Sequence, residues 1–245
     1  QDPTILDTLA DGSHKFAAKL KKAKRPMIII GMGALARADG AAMLGKARQI
    51  AENFGVVTKE WNGFNVLHNA AARVGGLDLG FLPARGGMDI ASMGKAAKAG
   101  KLDLLWLLGA DEIDFEPFAS SFVVYQGHHG DAGAHHADLV LPGAAYTEKD
   151  GIYVNTEGRV QYATRAAFPP GDAREDWTII RAVSGAVGKS IGFDTLAELR
   201  EALCADHPHF ADADTIALAK WASFGGRAKL SAEPIGQAFD NFYMT

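Results

Sequence analysis

Several short segments of this chain are apolar along nearly their whole length, and this feature most constrains the fold. Met27–Ile30 and Leu102–Leu108 are the clearest examples, and a glycine directly follows each of them. A strand that is apolar on both sides is typical of a parallel sheet covered by helices. Helical patterns separate the apolar runs, so strands and helices alternate along the chain. The sequence therefore predicts an α/β fold with a doubly wound, mostly parallel sheet and right-handed crossovers.

The same pattern predicts the individual elements. Asp39, Asp89, Asp172 and Asp194 are the expected helix caps, because a carboxylate can accept a hydrogen bond from a free backbone N–H of the first turn. The predicted strands span residues 26–30, 56–58, 102–108, 121–125 and 138–141, and a hairpin spans 152–162. The predicted helices span 4–23 with a break at 12–13, 39–54, 65–74, 89–100, 173–187 and 195–206.

Composition excludes several classes of protein. The net charge of −4 offers no basic surface for nucleic acid. No apolar run approaches the roughly 18 residues that suggest a membrane span. Cys204 is the single cysteine. Because an iron–sulfur cluster needs about four thiolates, the chain cannot hold one alone, and it cannot form an internal disulfide. The chain begins with Gln1 rather than Met, which suggests a piece of a longer polypeptide.

The segment from Tyr125 to Gln161 carries the most specific motif. It contains YQGHHGD, followed by ADLVLPGAAYTEKDGIYVNTEGR. An apolar strand ends at Pro142, small residues follow, and Asn155 and Gly158 have the positions that favour a type I turn. This run resembles the late domain of the molybdopterin oxidoreductase superfamily. Together with PPGDAREDWTIIRAVS, it is most similar to the large iron–sulfur subunit of respiratory complex I, and upstream segments extend the resemblance over nearly the whole chain.

The resemblance implies a fold and a role. Residues 1–188 would form a molybdopterin-oxidoreductase-like domain, and residues 189–245 a helical and coil extension. The iron–sulfur clusters would lie in the N-terminal part of the full subunit, so this part would be cluster-free, non-catalytic and architectural. Its partners would be that N-terminal part and other subunits of the hydrophilic arm, peripheral on the cytoplasmic face of a bacterial inner membrane or on the mitochondrial matrix side. The assembled enzyme would carry electrons from NADH to quinone.

Glycines and other small residues follow several predicted strands, where ligands bind in open α/β sheets. The resemblance implies that these loops form a vestigial pterin pocket, whose candidate residues are Gly31, Gly33, Gly109, Gly127, His128 and Gly143. An occupied pterin pocket, in a fragment of an active molybdenum enzyme, remains an alternative.

A second alternative is dinucleotide binding at residues 31–36. Gly31-Met32-Gly33-Ala34-Leu35-Ala36 fits the G-x-G-x-x-A pattern after a strand, and Glu60 is roughly where an acidic residue should end the second strand. The predicted helix start at Asp39 argues against it, because the helix dipole would be displaced from the glycine turn. The pattern alone favours an ordinary tight turn.

Histidines and carboxylates raise the remaining possibilities. His128, His129, His135 and His136 form an H-H-x5-H-H pattern that suits no structural zinc site, so we expect packing rather than metal binding. Asp111, Glu112, Asp114 and Glu116 follow one strand, while Glu148, Asp150 and Glu157 surround the hairpin. No nucleophile with suitable spacing accompanies them, so we predict no catalytic residue. We expect Glu157 and Arg159 to form a local ion pair that contributes little stability.

Overall fold

A computed structural model describes residues 4–83 and 86–212 of the chain. The described residues form two compact units: the first contains 4–82, 153–161 and 212, and the second contains 83, 86–152 and 162–211. The helices are α1 (Ile5–Ala10), α2 (Ala17–Lys22), α3 (Met32–Leu35), α4 (Gly40–Asn53), α5 (Arg73–Asp78), α6 (Ile90–Lys98), α7 (Ala132–His136), α8 (Asp176–Ala186) and α9 (Leu196–Asp206). The strands are β1 (Ile28–Gly31), β2 (Phe64–Leu67), β3 (Leu104–Leu108), β4 (Phe122–Gly127), β5 (Leu139–Pro142), β6 (Gly151–Val154) and β7 (Val160–Ala163).

The first unit is built on two parallel strands. β1 pairs with β2, and Ile28 lies opposite Phe64. Residues of α3 and α4 pack with β2, and the small side chains Ala47 and Ala51 allow a close approach of α4. The buried residues of this core are Leu35, Ala47, Ala51, Val56, Phe64 and Val66. A second apolar cluster joins the N-terminal helices to the other side of α4.

Two predicted elements of the first unit are wrong. Residues 56–58 contribute only an isolated antiparallel bridge, in which Val57 faces Asn62. The strand is instead Phe64–Leu67, at the start of the segment predicted to be a helix. Phe64 and Val66 are buried on one side of this strand, so its period is two, although the alanine-rich sequence that follows favours a helix. The helix itself begins only at Arg73.

The second unit contains a parallel sheet with the order β3-β4-β5. Leu105 and Leu107 of β3 and Val123 and Tyr125 of β4 point to one face. There they pack against residues of α6, α7 and the 3-10 turn at Glu116–Phe118. The predicted strands at 102–108, 121–125 and 138–141 are confirmed, and so is the α/β class with parallel strands.

The described strands nevertheless form three sheets, not a single doubly wound one. β1-β2 and β3-β4-β5 are separate parallel sheets, and β6 pairs with β7 in the predicted hairpin. Each parallel sheet has a buried apolar cluster of its own. Hydrophobic periodicity marks strands that need burial, but it does not specify which strands share a core.

The predicted helix caps have mixed outcomes. Asp89 accepts a hydrogen bond from the Ser92 backbone N–H at 2.8 Å and caps α6 as expected. Asp39 precedes α4, but its carboxylate binds Arg37. Thr195, not Asp194, caps α9 through a capping box with Glu198.

Helix α8 begins at Asp176, three residues later than predicted. The reason lies in the preceding chain, which is held in extended form beside β5. Arg174 forms a parallel bridge with Gly143, and its backbone N–H donates to the Pro142 carbonyl at 3.1 Å. Backbone that pairs with a strand cannot also close the first turn of a helix.

The predicted division at residue 188 stays a prediction. α9 and the 3-10 turn at Pro208–Phe210 are the elements of the predicted extension that the structure describes. Residues 213–245 of that extension lie outside the described residues.

Gly40→Ala should lower the free energy of unfolding by about 1–3 kcal/mol. A Cβ atom at Gly40 would lie 2.0 Å from the Leu35 carbonyl oxygen, which cannot move without displacing backbone. Gly33→Ala is the matched control, because a Cβ there would contact nothing within 4 Å. Urea denaturation followed by circular dichroism compares the two variants, and equal losses of stability would contradict the packing described for α4.

Candidate functional site at the strand ends

Four of the predicted pocket residues, Gly109, Gly127, His128 and Gly143, lie at the carboxyl edge of the second unit's sheet. The Gly109 backbone N–H donates to the Gln126 carbonyl at 2.7 Å, and the Gly143 N–H donates to the Gly127 carbonyl at 2.8 Å. Gly109 has φ +59°, a left-handed conformation that favours glycine. His128 directly follows Gly127 and is exposed. The ends of β3, β4 and β5 therefore form one continuous backbone edge.

Gly31 and Gly33 belong to the first unit and thus to another sheet. Gly31 is the last residue of β1, and Gly33 lies within α3. A Cβ atom at either position would meet nothing within 4 Å, so packing does not require glycine there. The single pocket that would unite all six candidate residues stays a prediction.

The structure removes one objection to dinucleotide binding at residues 31–36 and adds another. The predicted helix at 39–54 is present as α4, but a further one-turn helix, α3, begins directly after Gly31. The objection that no helix starts at the glycine turn is therefore wrong. Glu60, however, precedes β2 instead of ending it, because β2 lies at Phe64–Leu67. His68 follows β2, and burial together with the nearby Arg73 lowers the pKa of its imidazole. An acidic partner for a ribose is therefore absent from the end of this described strand.

The four histidines do not converge. His128 and His129 contact each other edge to face, with ring centroids 4.4 Å apart. His136 stacks on Phe115 at a centroid distance of 4.2 Å, and its Nδ1 lies 2.8 Å from the Ala132 carbonyl oxygen. Across 4–83 and 86–212, no group of three His, Cys, Asp or Glu side chains could hold a metal ion. The expectation that these histidines bind no metal stays a prediction.

The acidic residues after β3 make local contacts. Asp111 accepts a hydrogen bond from the Gly133 backbone N–H at 3.0 Å, which fixes the start of α7. Asp114 accepts from the Glu116 N–H at 3.1 Å, and Glu116 pairs with Lys98 at 2.5 Å. Asp114, Glu116 and Asp138 line an open cavity of about 610 Å³ near the amino ends of β4 and β5, at the edge opposite the glycines. None of these contacts joins a carboxylate to a nucleophile.

The hairpin turn has the predicted chemistry. Asn155 Oδ1 accepts from the backbone N–H groups of Glu157 at 3.1 Å and Arg159 at 2.9 Å. Gly158 has φ +85°. The Glu157 carboxylate accepts from Arg159 Nε at 2.7 Å, and this hydrogen bond and that from Asn155 hold the pKa of Glu157 below its usual range. The predicted local pair is therefore present, and it is exposed.

Sequence reasoning missed a polar cluster around the buried Gln126, beside the glycines. The Gln126 side chain is completely buried, and its Nε2 donates to Asp176 Oδ1 at 3.1 Å. Lys149 Nζ binds the other oxygen of the Asp176 carboxylate. The available signal was a glutamine at the end of the otherwise apolar run Phe122–Tyr125. A buried polar side chain needs a partner, and for Gln126 this is Asp176, 50 residues away in sequence.

Comparison with known proteins identifies the family. The family model for molybdopterin oxidoreductase matches residues 1–186. The chain belongs to the molybdopterin oxidoreductase family. A subunit of NADH-quinone oxidoreductase from Rickettsia felis is 46% identical over 244 residues, which cover all of this chain and 35% of the relative. The 75 kDa subunit of NADH-ubiquinone oxidoreductase from Reclinomonas americana is 40% identical, again over the whole chain and 35% of the relative.

A plant relative agrees with these two. NADH dehydrogenase [ubiquinone] iron-sulfur protein 1, mitochondrial, from Solanum tuberosum is 40% identical over all of this chain and 32% of its own length. The chain thus spans about a third of the length of the curated relatives it matches. The solved structure of acetylene hydratase from Pelobacter acetylenicus covers 40% of this chain and 16% of its own at 17% identity. Its TM-score of 0.36 is too low to support an argument.

These matches confirm the resemblance to the large complex I subunit. The relatives carry the names of that subunit in bacteria, a protist and a plant, and the family match supports the superfamily assignment. Among the helices that the structure describes, none is long and apolar enough to cross a membrane.

Asn155→Ala should lower the free energy of unfolding by about 1–2 kcal/mol, because two backbone donors of the turn lose their acceptor. Glu157→Gln, two residues away, should change stability little, since its ion pair is exposed. Thermal denaturation of both variants at pH 7 provides the measurement. A larger loss for Glu157→Gln than for Asn155→Ala would show that the ion pair, not the asparagine, holds the turn.

Proposed function

We propose that this chain is the molybdopterin-oxidoreductase-type domain of the large subunit of a NADH-quinone oxidoreductase and serves there as a scaffold. Similarity over the whole chain to the Rickettsia felis subunit and to the 75 kDa subunit of Reclinomonas americana supports the assignment to that assembly. In this role the domain carries no electrons. It packs against the part of the subunit that the chain does not span, and it helps to shape the surface that contacts other subunits.

An apolar sheet face in the second unit carries the proposal. Leu104 and Leu108 of β3, Phe122 of β4 and Leu139 of β5 point to the face opposite the α6 core, and Trp106 lies between them in register. Their side chains remain about half exposed, at 51% for Leu104 and 49% for Phe122. Several large apolar side chains exposed on one sheet face are typical of a site of association.

Parallel sheets almost always have both faces covered, because each of their strands is apolar on both sides. One face of β3-β4-β5 packs against its own helices. On the other face Val124 and Gln126 of the central strand are buried, but Leu104, Leu108, Phe122 and Leu139 around them remain about half exposed. Burial contributes about 25 cal/mol per Å² of apolar surface, so a covering partner would stabilise this sheet appreciably. The relatives are about three times as long as this chain, and their remaining sequence is the occupant we propose.

Cysteine content supports the absence of redox chemistry. Cys204 is the only thiol, and it lies in α9. Clusters held by several thiolates would therefore be bound elsewhere in the subunit, as the iron-sulfur name of the Solanum tuberosum relative suggests. The domain would sit in the peripheral arm of the enzyme, on the cytoplasmic side of a bacterial inner membrane or the matrix side of a mitochondrial one.

Leu104→Glu in the full-length subunit tests this role. Glutamate on a face that becomes buried leaves an unpaired charge, which is strongly destabilising, whereas on a free face it stays hydrated. We expect at least a tenfold loss of assembled enzyme, measured as NADH:quinone oxidoreductase activity per milligram of membrane protein. Val187→Glu is the matched control, because Val187 is also exposed in the second unit but lies at the end of α8. It should assemble within twofold of wild type.

The isolated 245-residue chain supplies the second control. Leu104 is already half exposed, so Leu104→Glu should cost the separate chain only about 1 kcal/mol. Normal assembly of the Leu104→Glu subunit would refute docking through this face. A collapse of the separate chain's stability would instead assign the effect to folding.

A further inference from the structure

The first turn of α8 lies against the carboxyl ends of β4 and β5. Arg174 bridges to Gly143, and the Ala144 backbone N–H donates to the Arg174 carbonyl at 2.8 Å. The chain then enters α8, an 11-residue helix whose first residue is Asp176. The N-cap residue, Glu175, makes no side-chain hydrogen bond to the helix start. A helix N-terminus at the ends of parallel strands is a favourable position for an anion, because free N–H groups and the helix dipole point toward it.

The Gln126 amide and the Lys149 ammonium group both donate to Asp176, the first residue of α8. The Gln126 amide is completely buried, and its Nε2 lies 3.1 Å from Asp176 Oδ1 and 3.2 Å from the Asp176 carbonyl oxygen. Lys149 Nζ binds Asp176 Oδ2. In the described structure Gln126 Oε1 is buried without a hydrogen-bond partner. An unsatisfied buried oxygen costs about 1–3 kcal/mol, so the amide is held in this orientation at the expense of its own acceptor.

The Asp176 carboxylate also fills the space above the glycines. A Cβ atom at Gly143 would lie 2.9 Å from Asp176 Oδ1 and 3.5 Å from the Gly127 carbonyl oxygen. The carboxylate therefore rests directly on the bare backbone of Gly143. In open α/β sheets this is the place where the charged groups of ligands approach the backbone.

We propose that Asp176 is an internal occupant of an anion site built from Gln126, Lys149 and the start of α8. Its carboxylate takes the place of a ligand's phosphate or carboxylate group, so the wild-type edge repels anions. The neighbouring Glu175 carboxylate has other partners: it accepts from Trp177 Nε1 at 2.9 Å and lies 3.8 Å from Arg165. This inference goes beyond the scaffold function and does not require it.

Removing the carboxylate should therefore create an anion site. In the full 245-residue chain, Asp176→Ala leaves the lysine ammonium and the glutamine amide facing an open volume. We expect it to bind inorganic phosphate at least tenfold more tightly than wild type, measured by isothermal titration calorimetry at constant ionic strength. Adding Lys149→Met to this variant should abolish the gain. Asp172→Ala, which removes the same charge from the exposed loop before α8, should behave like wild type.

Each result decides the proposal. Equal phosphate affinity in wild type and Asp176→Ala, including no binding by either, would overturn it, as would binding that survives Lys149→Met. If Asp176→Ala does not fold, Asp176→Ser provides a smaller change that keeps a partner for Gln126. If neither variant folds in buffer, circular dichroism must show that phosphate restores the folded state, and failure to do so would overturn the proposal.

Discussion

The burial requirement of three parallel strands governs the second unit and, with it, the function we assign. Leu105, Leu107, Val123 and Tyr125 satisfy this requirement on one face by packing against helices of the same unit. On the opposite face Leu104, Leu108, Phe122 and Leu139 remain half in water. A sheet with this composition is incomplete as a free surface. That incompleteness fits the proposed docking of this face, since the chain spans about a third of the length of its relatives.

The sequence predicted the structure best where the type of a residue decides its local conformation. Asp89 as a helix cap, Gly158 in its turn and the apolar run of β3 all follow from short-range physics, and each lies where it was expected. The errors arise where distant parts of the chain compete. β2 occupies residues that favour a helix, and α8 starts late because Arg174 pairs beside β5. Likewise, the partition of strands into separate sheets depends on which helices cover them, and periodicity does not contain that information.

The candidate site also has one part that could be predicted from the sequence and one that could not. Glycines after strands located the carboxyl edge of β3-β4-β5, because strand ends can be located from sequence, while ligand binding at that edge stays a prediction. The contacts of Asp176 with Gln126 and Lys149 could not be identified, since these residues meet only through the folded topology. Family membership alone suggests a pterin ligand at this edge. In the structure the carboxylate of Asp176 lies against the backbone of Gly143.

Hydrogen–deuterium exchange of the β3 and β4 amides, compared between the separate chain and the full-length subunit, shows whether the apolar face is covered. If the remaining sequence covers it, local opening of the sheet becomes rarer, and exchange of Leu104–Leu108 and Phe122–Gly127 should slow by at least tenfold in the full-length subunit. The hairpin turn at residues 155–158, which lies outside this sheet, should serve as an internal reference with a smaller change. Equal exchange of β3 and β4 in the two proteins would contradict a scaffold role through this face.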